Sequence, residues 1–256
     1  MVGKNHSIAQ AADWQVRADG RAAARHPPHN HWLVGVGQVP PESRSTEGGP
    51  AGYNELLLEY LIKQYPLESG ALEIQYIEEF FGEFPRKKTA REIVARLQER
   101  EFLILIAEAP LPDDPGMVAP VSFKVVHEIR AEESEPKLVD LVGRLEGAVQ
   151  FAGRKVLYSW IGGTRRDWRG QGHFRALTEE SEAWAHSSGF HEVVVKTKNR
   201  FYDMRGTLDQ LEFNVVKYEP NRIDNRESKV YLSKPLTSDV LRAHDVGCER
   251  LAQIDL

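Results

Sequence analysis

Residues 162–174 read GGTRRDWRGQGHF and lie between a segment with strand character, residues 156–161, and a segment with helical periodicity. A strand that runs into a glycine-rich turn at a helix N-terminus presents unpaired backbone N–H groups, and the helix dipole favours phosphate oxygens there. Gly170 and Gly172 allow positive φ and close backbone approach. Three arginines can add charge-assisted contacts: Arg165, Arg166 and Arg169. The stretch therefore predicts a ligand that carries phosphates.

Two common phosphate-binding patterns do not match this stretch. A Walker loop needs Gly-Lys-Ser/Thr at its end, but Gly172 is followed by His and Phe, and no lysine occurs between Lys155 and Lys196. The dinucleotide fingerprint needs a third glycine in a parallel βαβ unit, but the next glycine is Gly189 and antiparallel strands are predicted before the loop. Both nucleotide-binding classes are therefore excluded.

A third pattern, Arg/Gln-x-x-Gly-x-Gly/Ala, is met by residues 169–174, with Phe174 in the last place. Here the chain resembles the GNAT superfamily of acetyl-CoA-dependent N-acetyltransferases. A second match follows in the right order: residues 195–199 end in Asn199, and a helix then closes on Glu212-Phe213. The resemblance covers roughly residues 53–235.

The resemblance implies a mixed α+β fold, with a central, mostly antiparallel twisted sheet flanked by helices. It implies acetyl-CoA as the acyl donor and no metal, with the cofactor-binding residues Gly163, Thr164, Arg165, Arg169, Gly170, Gln171, Gly172, His173, Phe174 and Asn199. The acceptor would be an amine, of a small molecule or a protein, that attacks the thioester directly in a ternary complex. The sequence leaves a homodimer open.

Three residues depart from the family pattern. Phe174 replaces a small residue, and Glu212 replaces a helix-ending glycine. Leu208 stands where many members carry a tyrosine that protonates the leaving thiolate. The alternative function, an acyl-CoA-binding module without turnover, rests on Leu208 alone.

No spacing signature identifies the general base. We select Glu128, near the end of a predicted strand. The other candidates are His127, Tyr158, Ser159, Glu78 and Glu79. Direct attack needs no covalent intermediate, so Cys248 is not required as a nucleophile. An acidic series in residues 73–83 would suit a cationic amine, and equally suits an ordinary solvated helix face.

Composition limits the remaining possibilities. The chain has 256 residues, 41% hydrophobic and 28% charged, with a net charge of −5, which is typical of a globular protein and offers no general attraction for nucleic acid. One cysteine and no apolar run near 20 residues predict a cytoplasmic protein without a membrane span. The three histidines at 26, 29 and 31 lack the carboxylate or cysteine ligands of a metal site.

Three regions are expected along the chain: a flexible extension over residues 1–50, rich in proline and glycine, an acyltransferase domain over 51–236, and a tail over 237–256. Helical spacing predicts helices over 54–65, 74–84 and 138–145, and Thr89 with Glu92 predicts a capping box for another that ends near Arg100. Further helices are predicted after Gly172 and over 201–211. Strands are predicted over 102–107, 118–129, 156–161, 193–195, 215–218 and 230–232.

Overall fold

A computed structural model of the chain describes residues 16–17, 60–67, 88–111 and 114–239. Its strands are β1 (Val16–Arg17), β2 (Leu61–Tyr65), β3 (Phe102–Leu111), β4 (Asp114–Ile129), β5 (Val156–Thr164), β6 (Glu192–Lys198), β7 (Asn214–Glu219) and β8 (Lys229–Pro235). Its α-helices are α1 (Ala90–Leu97), α2 (Pro136–Leu145), α3 (His173–Ser187) and α4 (Tyr202–Gln210).

Seven strands form one mixed sheet in the order β2-β3-β4-β5-β6-β8-β7, and the two-residue β1 pairs with β4. Every pairing is antiparallel except that of β5 with β6. A parallel pair needs a crossover connection, and α3 provides it. The predicted mixed α+β class, with a mostly antiparallel sheet flanked by helices, is confirmed.

Helices cover both faces of the sheet. One face, which we call the α3 face, packs Leu157, Val193 and Val195 against Leu177 of α3 and Leu208 of α4. The opposite face, the α1–α2 face, is covered in two parts. Ile93 and Leu97 of α1 pack on β3 and β4, and the three buried leucines of α2 pack on β5, β6 and β8: Leu138, Leu141 and Leu145.

The capping box at the start of α1 is confirmed. Thr89 Oγ1 accepts a hydrogen bond from the Glu92 backbone at 3.2 Å, and the Glu92 carboxylate accepts one from the Thr89 backbone at 2.9 Å. The end of α4 resolves the question raised by Glu212. This residue has a φ of 64°, so the helix ends in the left-handed conformation that normally favours glycine.

The predicted helix over 54–65 is wrong in its last turn, because Leu61–Tyr65 is the edge strand β2. Lys63 and Tyr65 both bond to Glu108 of β3, and pairing with β3 supplies backbone partners along the whole segment. Tertiary pairing has overridden a helical apolar spacing. The predicted helix over 74–84 lies outside the described residues, as does the extension over 1–50 except for β1. Within the described residues, no helix has the length and apolar content needed to cross a membrane.

Candidate active site

The turn between β5 and α3 carries a row of free backbone donors. β5 ends at Thr164, a 3₁₀ turn covers Arg166–Trp168, and α3 begins at His173. Gly170 and Gly172 have φ values of 81° and 79°. Among the described residues, no acceptor pairs with the N–H groups of residues 170–175, and the first bonded amide is that of Ala176, which donates to Gly172 at 3.0 Å. Consecutive free N–H groups at a helix N-terminus form an anion-binding cradle.

Aromatic packing holds this turn in place. The His173 ring is 2% exposed, stacks on Tyr60 with 4.1 Å between centroids, and meets the edge of Trp168. Neither ring nitrogen has a hydrogen-bond partner among the described residues, and burial lowers the pKa of the imidazole. The His173 side chain is therefore turned into the protein, and only its backbone N–H faces the turn as a donor.

The other side chains of the loop differ in their exposure to solvent and in their contacts. Arg165 and Arg169 are exposed, and the Arg169 guanidinium donates to the Thr164 carbonyl at 3.1 Å. Phe174 is half-buried and packs against the α3-face core. The Lys124 ammonium lies 4.9 Å from its ring centroid.

β5 and β6 separate directly below this turn. Their parallel pairing runs from Val156 with Glu192 to Ser159 with Val195, and in the described chain it goes no further. β5 continues to Thr164 along β4, and β6 continues to Lys198 along β8. The facing edges of the two strands therefore leave backbone donors and acceptors open to a ligand in the gap.

A β-bulge marks the point of separation. Val125 pairs with Ile161 and Val126 with Ser159, so Trp160 is the extra residue in β5. The bulge changes which way the following side chains point, and bulges are common next to active sites. Trp160 lies on the α1–α2 face, where it packs with both helix clusters on that side.

His127 and Tyr158 lie beside Trp160 on the same face. The His127 ring is 5.5 Å from the rings of both Tyr158 and Trp160. His127 Nδ1 donates to the Glu128 carbonyl at 2.6 Å, while Nε2 is buried without a partner among the described residues. Burial lowers the pKa of His127 to about 3 and raises the pKa of Tyr158 to about 12. Both side chains are therefore neutral near pH 7, and the phenol is a proton donor.

Glu128 is not part of this group. It pairs with Leu157, which belongs to the α3-face core, whereas His127 pairs with Tyr158 on the other face. Neighbouring residues of a strand point to opposite faces, so the sheet separates Glu128 from His127. Its carboxylate accepts hydrogen bonds from Arg130, the shorter at 2.6 Å. The selection of Glu128 as base finds no geometric support.

The remaining predicted residues fall in several places. Asn199 is buried, donates to the Asn225 carbonyl at 3.2 Å and accepts from Arg205, so both ends of its amide are engaged within the protein. Leu208 is fully buried in the α3-face core. Glu78, Glu79 and Cys248 lie outside the described residues. Sequence reasoning missed Trp160, because a bulge leaves no pattern in the residue spacing.

Comparison with known proteins identifies the fold. No family model and no curated protein matches the sequence. A solved structure of NAA60 from Arabidopsis thaliana with acetyl-CoA matches at a TM-score of 0.50 and 14% identity, covering 68% of this chain and 98% of that one. A chain of the NatC complex bound to Gag peptide and CoA matches at a TM-score of 0.52 and 15% identity, covering 70% and 100%. The chain shares the fold of these two structures, and this agrees with the fold that the GNAT resemblance of the two sequence motifs implies.

Proposed function

We propose that the protein transfers an acetyl group from acetyl-CoA to an amine by direct attack in a ternary complex. One observation carries the proposal: the gap where β5 and β6 part after Ser159 and Val195 leads into the free N–H groups of residues 170–175. The open strand edges in the gap can form hydrogen bonds with a linear ligand that contains amides. The free N–H groups can bind a pyrophosphate at the end of that ligand. The two similar structures contain acetyl-CoA or CoA, which supports the same ligand here.

Each part of the site has a role in this proposal. The N–H groups of residues 170–175, with the exposed Arg165 and Arg169, bind the pyrophosphate. Thr164 pairs with the pantetheine amides from the β5 side, whereas the Gly163 carbonyl faces β4 and accepts from Ser122 Oγ at 3.0 Å. Asn199 follows β6 and orders the side of the gap opposite β5, because it bonds to Arg205 and to the turn that carries Asn225. The thioester then lies near Trp160.

Tyr158 is the group best placed to act as the acid. The amine nitrogen attacks the thioester carbon, the C–S bond breaks, the nitrogen loses a proton and the sulfur gains one. The neutral phenol of Tyr158 can supply the proton to the leaving sulfur, and the proton that the nitrogen loses restores the phenol. No covalent enzyme intermediate is formed, so Cys248 has no role in the step. The single cysteine suits a reducing compartment, and we place the reaction in the cytosol.

The alternative, a module that binds acyl-CoA without turnover, is not favoured. Its motivation was Leu208 in place of a tyrosine, and Leu208 is a fully buried core residue. Tyr158 offers a phenol from β5 instead.

The test measures CoA release with a thiol reagent from acetyl-CoA and a panel of small amines and peptides. A Cys248→Ala variant serves as the reference protein, because it removes the protein's own thiol and should keep full activity. Amine-dependent CoA release supports transfer. Saturable acetyl-CoA binding with no release by any amine would instead support the binding module.

A further inference from the structure

A cleft with a cavity of about 530 Å³ lies between α1 and α2 among the described residues, and Trp160 forms part of its wall. Trp160 is the bulge residue next to the point where β5 and β6 separate. The cleft therefore approaches that point from the face opposite α3. A cavity of this size is typical of a site for a small molecule.

The most buried charged side chains on the cleft lining are cations. Three cations are the more buried side chains: Arg96 is 6% exposed, Arg100 13% and Lys88 21%. The other charged side chains on its lining are more exposed: Glu135 at 35%, Glu92 at 46%, and Glu99 and Lys137, which are also exposed. A ligand group that reaches the inner part of the cleft meets positive charge, which favours an anion.

Arg96 is the cation best placed to bind that anion. Its guanidinium lies 4.6 Å from the Trp160 ring centroid and forms an ion pair with Glu135. The Lys88 ammonium lies 5.7 Å from the same ring, whereas Arg100 is already engaged by both carboxylate oxygens of Glu133. A ligand carboxylate can therefore replace Glu135 on Arg96 beside Trp160. Cations at this depth also lower the pKa of a bound amine and so increase its neutral, nucleophilic fraction.

We propose that the acceptor is an amino acid, whose carboxylate binds Arg96 in this cleft and thereby places its amine beside Trp160. The inference rests on the proposed acetyl transfer. The products are an N-acetyl amino acid and CoA, with one proton released from the ammonium form of the substrate.

The first experiment compares the twenty amino acids with their C-terminal amides as acceptors in the CoA-release assay. The amides have the lower amine pKa, since they lack the neighbouring carboxylate, so chemistry alone favours them. The cleft is expected to reverse this order, with kcat/KM at least about 10-fold higher for the best amino acid than for its amide, the scale of one charge-assisted contact. Equal or higher kcat/KM for the amides overturns the proposal.

Two variants separate binding by Arg96 from a structural role of its ion pair. Arg96→Gln should lower the ratio of kcat/KM for the amino acid to kcat/KM for its amide about 10-fold or more, with unchanged acetyl-CoA affinity. Glu135→Gln should lower KM for the amino acid, because it removes the internal competitor and keeps Arg96. Arg91→Gln, on the exposed surface of α1, is the matched control and should change neither. Loss of activity in Glu135→Gln would indicate a structural ion pair and overturn the proposal, even if Arg96→Gln does not fold.

Calorimetry of the CoA-loaded protein tests the cleft without turnover. Tighter binding of an amino acid than of its amide, lost in Arg96→Gln, supports the cleft even if no acetyl transfer occurs, in which case the proposed function alone fails. Transfer to amides as efficient as transfer to amino acids leaves the function standing and removes the cleft assignment. Absence of any amino-acid binding likewise overturns it.

Discussion

Tyr158 combines a buried ring with a hydroxyl that bonds to no other described residue. Its pKa is raised to about 12 because burial disfavours the phenolate, and Arg96 opposes this shift in part. A phenol with this pKa stays protonated over the whole range in which an amine acceptor titrates. Its hydroxyl therefore carries a proton at any working pH.

Tyr158→Phe should lower kcat by about 10²-fold, the scale of one general acid, with acetyl-CoA affinity within about 2-fold. In the unsubstituted protein, kcat should show no alkaline fall between pH 7 and 10, because the phenol titrates only near 12. Steady-state kinetics across this pH range checks both statements. Glu128→Gln is the control from β4 and should keep its turnover. An unchanged kcat in Tyr158→Phe would remove Tyr158 from the proposed mechanism.

Glu212 holds a backbone conformation that suits glycine better. Its φ of 64° costs a residue with a Cβ about 1 kcal/mol or more. Glu212→Gly is therefore expected to raise the free energy of unfolding by about 0.5–1 kcal/mol, after the extra chain entropy of glycine is subtracted. Urea denaturation measures the change. Gln210→Gly, at the last residue of α4, should instead lower stability by about 0.5 kcal/mol, and a destabilising Glu212→Gly would contradict the argument.

The turn before α3 and the turn after α2 allow a matched pair of glycine variants. Gly172 has a φ of 79° and Gly147 one of 85°, and an added Cβ meets nothing within 4 Å at either position. Valine at either position is strained by the positive φ, and the cost is expected to be similar in both variants, about 1–3 kcal/mol. Only Gly172→Val also crowds the free N–H groups of the proposed phosphate site.

Gly172→Val should raise the acetyl-CoA dissociation constant at least about 10-fold, whereas Gly147→Val should leave it unchanged, with similar loss of unfolding free energy in both. Calorimetric titration and urea denaturation provide the two measurements. Equal affinities in the two folded variants would place the phosphate site elsewhere.

A buried ion pair connects α3 with β8. Lys234 donates to Glu182 at 2.8 Å, and the two side chains are 6% and 0% exposed. Lys234→Met removes the positive charge that pairs with the buried Glu182 carboxylate, so the free energy of unfolding should fall by about 3 kcal/mol. The double variant Lys234→Met/Glu182→Leu should recover much of that loss in urea denaturation. Full stability of the single variant would show that the pair is dispensable.

At the scale of the whole chain, the described residues from β2 to β8 contain three core clusters that cover both faces of the sheet. Within the part of the N-terminal extension that the structure describes, residues 16–17, β1 pairs with β4 at the sheet. A chain that starts at Ala51 should therefore unfold cooperatively and bind acetyl-CoA with unchanged affinity. Thermal denaturation with calorimetric titration tests this, and loss of a cooperative transition would mean that the extension is part of the folded unit.

Local patterns in the sequence determined much of this architecture. Residues 156–161 predicted a strand, residues 162–174 an anion-binding turn, and the apolar spacing after Gly172 a helix, because each of these signals depends on neighbouring residues. The Thr89 capping box and the leucines of α2 likewise act over three or four positions, and both elements form as predicted. Elements that depend on such short-range patterns can therefore be predicted from a single sequence.

Only the tertiary structure decided the contacts that join distant residues. Residues 61–65 have helical spacing but form an edge strand, because β3 offers them backbone partners. Sequence reasoning favours Glu128 over Tyr158 and the other candidates, but strand pairing sets Glu128 and Tyr158 on opposite faces. The bulge at Trp160 became visible only in the register of β4 with β5. The cleft between α1 and α2 joins Arg96 to Glu135, residues 39 positions apart. Register and helix packing are determined by the whole core, so no local pattern encodes them.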